Sequence, residues 1–232
     1  MRSISLPALI LGCGIALSGF FVAYAISDSR AYNRYVQVKG LSEKIVKADK
    51  AIWSMRFRYA SNELGDLYQG VANAQEQVKR FLMTQGFAAN EMSVDPVSVN
   101  DNQSTSYSSN QNAKRFSADA GITIATSDVD KVMASIQKTG DLVQKGVVIT
   151  SSNANYRFTH LNEIKPQMLD EATASAQKAG QSFASNANST LGSIRNARQG
   201  IFTITDANSQ YNSGASVMKK VRIVTTVEFF LH

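Results

Sequence analysis

Between Asp49 and Ala60 the odd positions Ala51, Trp53, Met55, Phe57 and Tyr59 are apolar, while Lys50, Ser54, Arg56 and Arg58 alternate with them. A period of two places the two sets on opposite faces of an extended strand, one buried and one wet. Such a strand needs paired neighbours and a covering layer, which restricts the chain to sheet-containing folds. From Phe116 to Thr126 the pattern recurs, with Phe116, Ala118, Ala120, Ile122 and Ile124 on one face. Four further stretches read as strands: Arg34 to Gly40, closed by its glycine, Val147 to Phe158, Gln199 to Asp206, and Met218 to Leu231. Met92 to Val99 reads as an edge strand, because Pro96 has no N–H to give to a ladder.

Between these strands the period lengthens to that of a helix. Leu67, Val71, Ala74, Val78 and Phe81 form an apolar stripe starting from Leu64 and closing at Gly86, a residue suited to the left-handed turn after a helix. Asp128 offers an N-cap to a short helix carrying Val129, Val132, Met133 and Ile136, which stops at Gly140. Lys165-Pro166 opens a third helix, with proline in its first turn and a narrow stripe of Leu169, Ala172, Ala176, Ala179, Phe183 and Ala187. The predicted order ββαββαβαββ describes an α+β protein of mainly antiparallel sheet, with three helices and room for two closely joined subdomains. Asn100 to Asn112 is a polar segment that reads as the tip of a long hairpin.

Ahead of this domain, no charge occurs between Arg2 and Asp28, and Ile4 to Ile26 is dominated by apolar residues. About 20 helical residues cross a hydrocarbon core of about 30 Å, so residues 1–27 read as a signal anchor and transmembrane helix. Residues 28–232 then form the extracytoplasmic domain. Arg2 holds the N-terminus inside, which predicts a single-pass protein of the cytoplasmic membrane with its bulk in the periplasm. Ala23-Tyr24-Ala25 has the small-x-small form of a cleavage site, and cutting there would release a chain beginning at Ile26. The apolar run is longer than a usual signal peptide, and the n-region holds a single arginine. Both favour the uncut anchor.

Cys13, the single cysteine, lies within the apolar run and reads as a small buried residue rather than a lipidation site. No disulfide within the chain is possible, and no thiolate metal site can form, so the exported domain depends on its core. The formal charge of +6 suits anionic surfaces such as lipid head groups or envelope polymers. Nucleic acid is not an expected partner, since basic and aromatic residues do not interleave in a binding motif.

Three stretches carry a family resemblance. Tyr35-Val36-Gln37-Val38-Lys39-Gly40 with Ser42-Glu43 is similar to a V-x-V-x-G-x-[SG]-E opening. The alanine-rich helix runs into Leu191-Gly192-Ser193-Ile194, similar to an A-x-x-x-A-x-x-x-A helix followed by L-G-x-[IV]. The closing Lys219-Lys220-Val221-Arg222-Ile223-Val224-Thr225-Thr226-Val227-Glu228-Phe229-Phe230 is similar to a V-x-V-x-x-x-V strand. In this order they resemble the SIMPL-domain family of bacterial envelope proteins, which includes periplasmic immunogenic antigens. The resemblance implies an exported α+β domain, assembly of some members into rings or channel-like oligomers, and an association with envelope stress. It brings no established catalytic residues.

The chain contains no G-x-S-x-G, no phosphate-binding glycine loop and no H-E-x-x-H. His160 and His232 stand without a second ligand at metal-binding spacing, and Glu43, Asp49 and Glu63 are dispersed carboxylates. No catalysis, cofactor or metal is therefore expected. The leading expectation is a membrane-anchored homo-oligomer, ring- or cage-like, with a structural or envelope-stress role. In it Ala172, Ala176 and Ala179, together with the sheet edges, make subunit contacts. The alternative is a monomeric binding module for an anionic envelope polymer or lipid head group. It would use Lys50, Arg56, Arg58, Arg195, Arg198, Lys219, Lys220 and Arg222.

Overall fold

A computed structural model describes residues 6–31, 34–104, 114–208 and 213–232. The fold is α+β with mainly antiparallel sheets and, among the described residues, five α-helices. Helix α1 (Leu6–Ala31) precedes β1 (Tyr35–Lys47), β2 (Lys50–Ser61) and α2 (Leu64–Thr84). Then follow β3 (Met92–Asp101), β4 (Phe116–Thr126), α3 (Val129–Ile136), α4 (Gly140–Gln144) and β5 (Val148–Arg157). The chain continues through α5 (Leu161–Asn186), β6 (Leu191–Gln199), β7 (Thr203–Asp206) and β8 (Met218–Leu231). Among the described residues no helix is long and apolar enough to cross a membrane. The side chains of α1 are described only at 11–23, a shorter stretch than the about 20 residues a span needs. Arg2 and most of the polar segment Asn100–Asn112 lie outside the described residues.

The chain divides into two compact units, one of residues 1–43, 164–202 and 222–232, the other of residues 44–163 and 203–221. In the second unit a four-stranded sheet has the order β3-β4-β2-β5. Its β2–β4 register runs from Ala51↔Thr126 to Ser61↔Phe116 without a break, so the odd residues of β2 and the even residues of β4 share a face. That face is the core: Trp53, Met55, Phe57, Ile122 and Ile124 are each at most 1% exposed and cluster with Leu67, Val78, Phe81 and Leu82 of α2. Trp53 also satisfies its indole N–H by donating to Ser152 Oγ at 3.0 Å. The end of α2 follows from Gly86 at φ 87°: Phe87 N donates to Leu82 O and Gly86 N to Met83 O, which occupies carbonyls that the helix itself leaves open. Asp128 caps α3 as its position predicts, accepting from Lys131 N at 3.0 Å.

In the first unit α5 packs on β1 and β8, with Val38, Ala176, Val227 and Phe229 at the centre. Gly40 lies inside β1 rather than ending it. A Cβ at that position would stand 1.8 Å from Ala172 O and 2.6 Å from Ala176 N, so the helix backbone occupies the space of a side chain. The strand continues to Lys47, and Ser42 Oγ donates to Glu171 Oε2 on α5 at 2.8 Å. The sheet here has the order β1-β8-β6.

The element order departs from expectation in two places. A short α4 begins at Gly140, where the sequence pattern predicts a stop, and 191–199 forms a separate strand β6 ahead of a short β7. Leu191, Ile194 and Ala197 do not alternate cleanly because register shifts interrupt the β6–β8 ladder, so β6 lacks a period-two signature. Pro166 sits inside α5 rather than in its first turn, since the helix already begins at Leu161. Asp49 holds the chain just before that start, accepting from the backbone N–H groups of Thr159 and His160, the Thr159 hydroxyl, and His160 Nδ1 at 2.6 Å.

Candidate functional site

The second unit's sheet presents its even β2 positions on the face opposite α2. There the cross-strand rows are Asp95–Gly121–Arg56–Ser151, Ser93–Thr123–Ser54–Asn153 and Ser98–Asp119–Arg58. Between Asp95 and Ser98 the β3–β4 register shifts, and Pro96 and Val97 form the irregular stretch. The shift and the absent side chain of Gly121 leave a groove of about 370 Å³ lined by Ser54, Arg56, Asp95, Pro96, Ser98, Asp119, Gly121 and Thr123. The Asp95 carboxylate lies directly over Gly121, where an added Cβ would come 2.5 Å from Oδ2.

Two arginines and two aspartates stand on this face of the sheet, and only one arginine and one aspartate are paired. Arg58 and Asp119 neutralise one another in a two-pronged contact, Nε to Oδ1 at 2.8 Å and the terminal nitrogen to Oδ2 at 2.9 Å. The Arg58 hydrogen bond is the main reason the Asp119 carboxyl is held below the usual aspartate range; partial burial opposes it. Asp95 and Arg56 have no ion-pair partner among the described residues. Thr123 Oγ1 lies 3.3 Å from both Asp95 Oδ1 and Ser54 Oγ. Its single proton serves one of them, so a donation to Asp95 leaves Ser54 to supply the other bond.

The expected anion-binding residues are placed very unequally. Lys219 is not available to a ligand: it is 1% exposed and paired with Asp206, itself 2% exposed, and Ser213 Oγ donates to the same carboxylate. Burial alone would push the Asp206 carboxyl up, but the hydrogen bonds from Lys219 and Ser213 outweigh it and hold it below the ordinary value. Arg222 lies 3.3 Å from Glu43 Oε1, and Arg195 stacks on the Tyr35 ring at 4.2 Å. Lys50, Arg56, Arg58 and Arg198 are exposed, and Lys220 is half-buried. Lys50, Arg56, Arg58, Lys219 and Lys220 lie in the second unit, Arg195, Arg198 and Arg222 in the first.

The alanine stripe has a role inside the chain. Ala172 and Ala176 have no exposed surface, and Ala179 packs on the first unit's core. Close approach of α5 to Gly40 accounts for these small residues, which leaves Ala172 and Ala176 nothing to offer a second chain. Among the carboxylates, Glu43 belongs to the first unit and Asp49 anchors the Thr159–His160 backbone, while none of Glu43, Asp49 and Glu63 lines the groove. Among the described residues no three His, Cys, Asp or Glu side chains are placed to hold a metal ion. Sequence reasoning missed Asp95, Asp119, Gly121 and Thr123. Their one local signal is Asp95-Pro96, which marks an irregular edge, whereas Arg58 meets Asp119 only through a pairing across 61 residues.

With this fold in view, the sequence comparisons define the class of protein. The SIMPL family, described as proteins of unknown function (DUF541), matches residues 36–228. That span is most of the chain, and the protein belongs to the SIMPL family. A comparison with curated proteins returned no match.

Proposed function

We propose that the protein is a membrane-tethered, extracytoplasmic SIMPL protein that assembles with copies of itself in the bacterial envelope, in a ring- or cage-like form with a structural or stress-related role. The tether is supported by the apolar run Ile4 to Ile26 behind Arg2. Assembly is supported by one observation above all: β3 is a ten-residue strand paired on one side only, and it exposes Val94, Val97 and Val99 at 38 to 44%. An open edge of this kind is a template for a strand of another chain, and Pro96 removes only one of its donors. Tethering many copies to one membrane raises their effective concentration, which strengthens a weak edge contact.

The particle mass of the full chain in mild detergent, by size-exclusion chromatography with light scattering, tests the assembly. A particle several times the chain mass that falls to one chain mass on Val97→Lys supports it. A monomer at micromolar concentration overturns it. Extraction of membranes at alkaline pH, with the intact mass of the chain, tests the tether separately: release of a chain starting at Ile26 overturns it. The alternative, a monomeric module for anionic envelope polymers or lipid head groups, loses Lys219 to the core and has Arg58 and Arg222 engaged with carboxylates.

A further inference from the structure

The groove on the open face of the second unit's sheet contains one acid and one base that do not satisfy each other. Asp95 and Arg56 are both register partners of Gly121, on opposite sides of it. Their Cα atoms are therefore separated by two strand spacings, about 9 to 10 Å. Nothing larger than the hydrogen atom of Gly121 stands on the strand between them. Asp95 has an oxygen, Oδ2, aimed over that glycine. Arg56 makes no ion pair among the described residues, and its charge acts only at longer range on Asp119, which Arg58 already holds. Beside this row lie the hydroxyls of Ser54 and Thr123, and Ser98 lines the groove as well.

The neighbouring pair shows what the same chemistry does when it is closed. One row away, Arg58 and Asp119 face each other directly across β2 and β4 and cancel. Asp95 and Arg56 are one strand further apart, with the Asp95 carboxylate reaching over the glycine, and the two groups together complement a molecule with an ammonium at one end and an anion at the other.

We propose that this groove binds a small zwitterion of dipeptide size. Its ammonium is taken by Asp95, its carboxylate by Arg56 in the fork geometry a guanidinium favours, and its central amide by the hydroxyls of Ser54 and Thr123. This site does not depend on assembly through β3, and a monomeric protein would carry it equally.

The test is calorimetric titration of the full chain, in mild detergent, with the dipeptide Ala-Ala and two singly charged relatives, its N-acetyl and its C-amide forms. Ala-Ala is expected to saturate the protein with a dissociation constant of about 1 mM or tighter, and each capped form to bind at least about tenfold more weakly, since each removes one charge-assisted contact. Asp95→Asn should abolish the preference over the acetylated form and leave that over the amide. Arg56→Gln should do the reverse. Thermal midpoints close to the parent's establish that both variants are folded, and Arg56→Lys should recover part of the affinity. The proposal is overturned if capped and uncapped dipeptides bind alike, if the two variants bind Ala-Ala like the parent, or if no saturation occurs up to about 10 mM.

Discussion

The two units solve the same problem, a helix covering a sheet, with opposite materials. In the second unit the contact is made by large side chains, with Trp53, Met55 and Phe57 of β2 interlocking with Leu67, Val78 and Leu82 of α2. In the first, beside Val38, Val227 and Phe229, the closest approach is made by near absence of side chains: Ala172 and Ala176 bring the α5 backbone onto Gly40. A core of large residues keeps backbones apart and is weakened by removal of atoms. A core of small residues brings backbones together and is weakened by addition. The two units therefore fail under opposite substitutions.

The largest effect is expected from emptying the second unit. Trp53→Ala removes the largest fully buried side chain and leaves Ser152 Oγ without its donor; it should cost about 3 to 5 kcal/mol in denaturant unfolding of the full chain. A loss below about 1 kcal/mol would mean that this core is loosely packed. Lys219→Met in the same unit should cost about 3 kcal/mol or more, because it leaves the Asp206 carboxylate buried and unpaired. Adding Asp206→Leu to it should recover much of the loss, and a double variant no better than the single would show that packing rather than charge sets the cost.

Filling the first unit comes next. Gly40→Ala adds only a methyl group, yet places it on the Ala172 carbonyl, and should cost about 2 to 3 kcal/mol. If this substitution were neutral, the contrast between the two cores would collapse. Smallest is the exposed pair: Arg58→Ala, with Arg58 about half exposed, should change stability by no more than about 1 kcal/mol.

Acid sharpens the contrast in another way. Asp206, Asp119 and Asp49 all have folded values below their ordinary 3.8, so in the folded state they bind protons less readily than in the unfolded chain. Their contribution is fully present above pH about 4 and is lost as the pH falls through the folded values. All three lie in the second unit. Thermal unfolding followed from pH 5 to pH 2 should show the loss, and Asp206→Asn should flatten it. A profile unchanged by that substitution would remove Asp206 from the account.

By itself the sequence determined the elements whose side chains repeat on one face. The β2 and β4 alternations, the α2 stripe with its glycine close, the Asp128 cap and family membership all follow from local pattern, because period and capping are properties of neighbouring residues. Only the tertiary structure decided what depends on a partner far along the chain. Gly40 looked like a stop because its reason, the α5 backbone, lies more than a hundred positions away. Lys219 looked like a surface charge because its carboxylate is in another strand. The groove exists because a register shift beside Pro96 and the gap at Gly121 fall in adjacent strands, and pairing between strands is set by the packing of the whole sheet rather than by either segment alone.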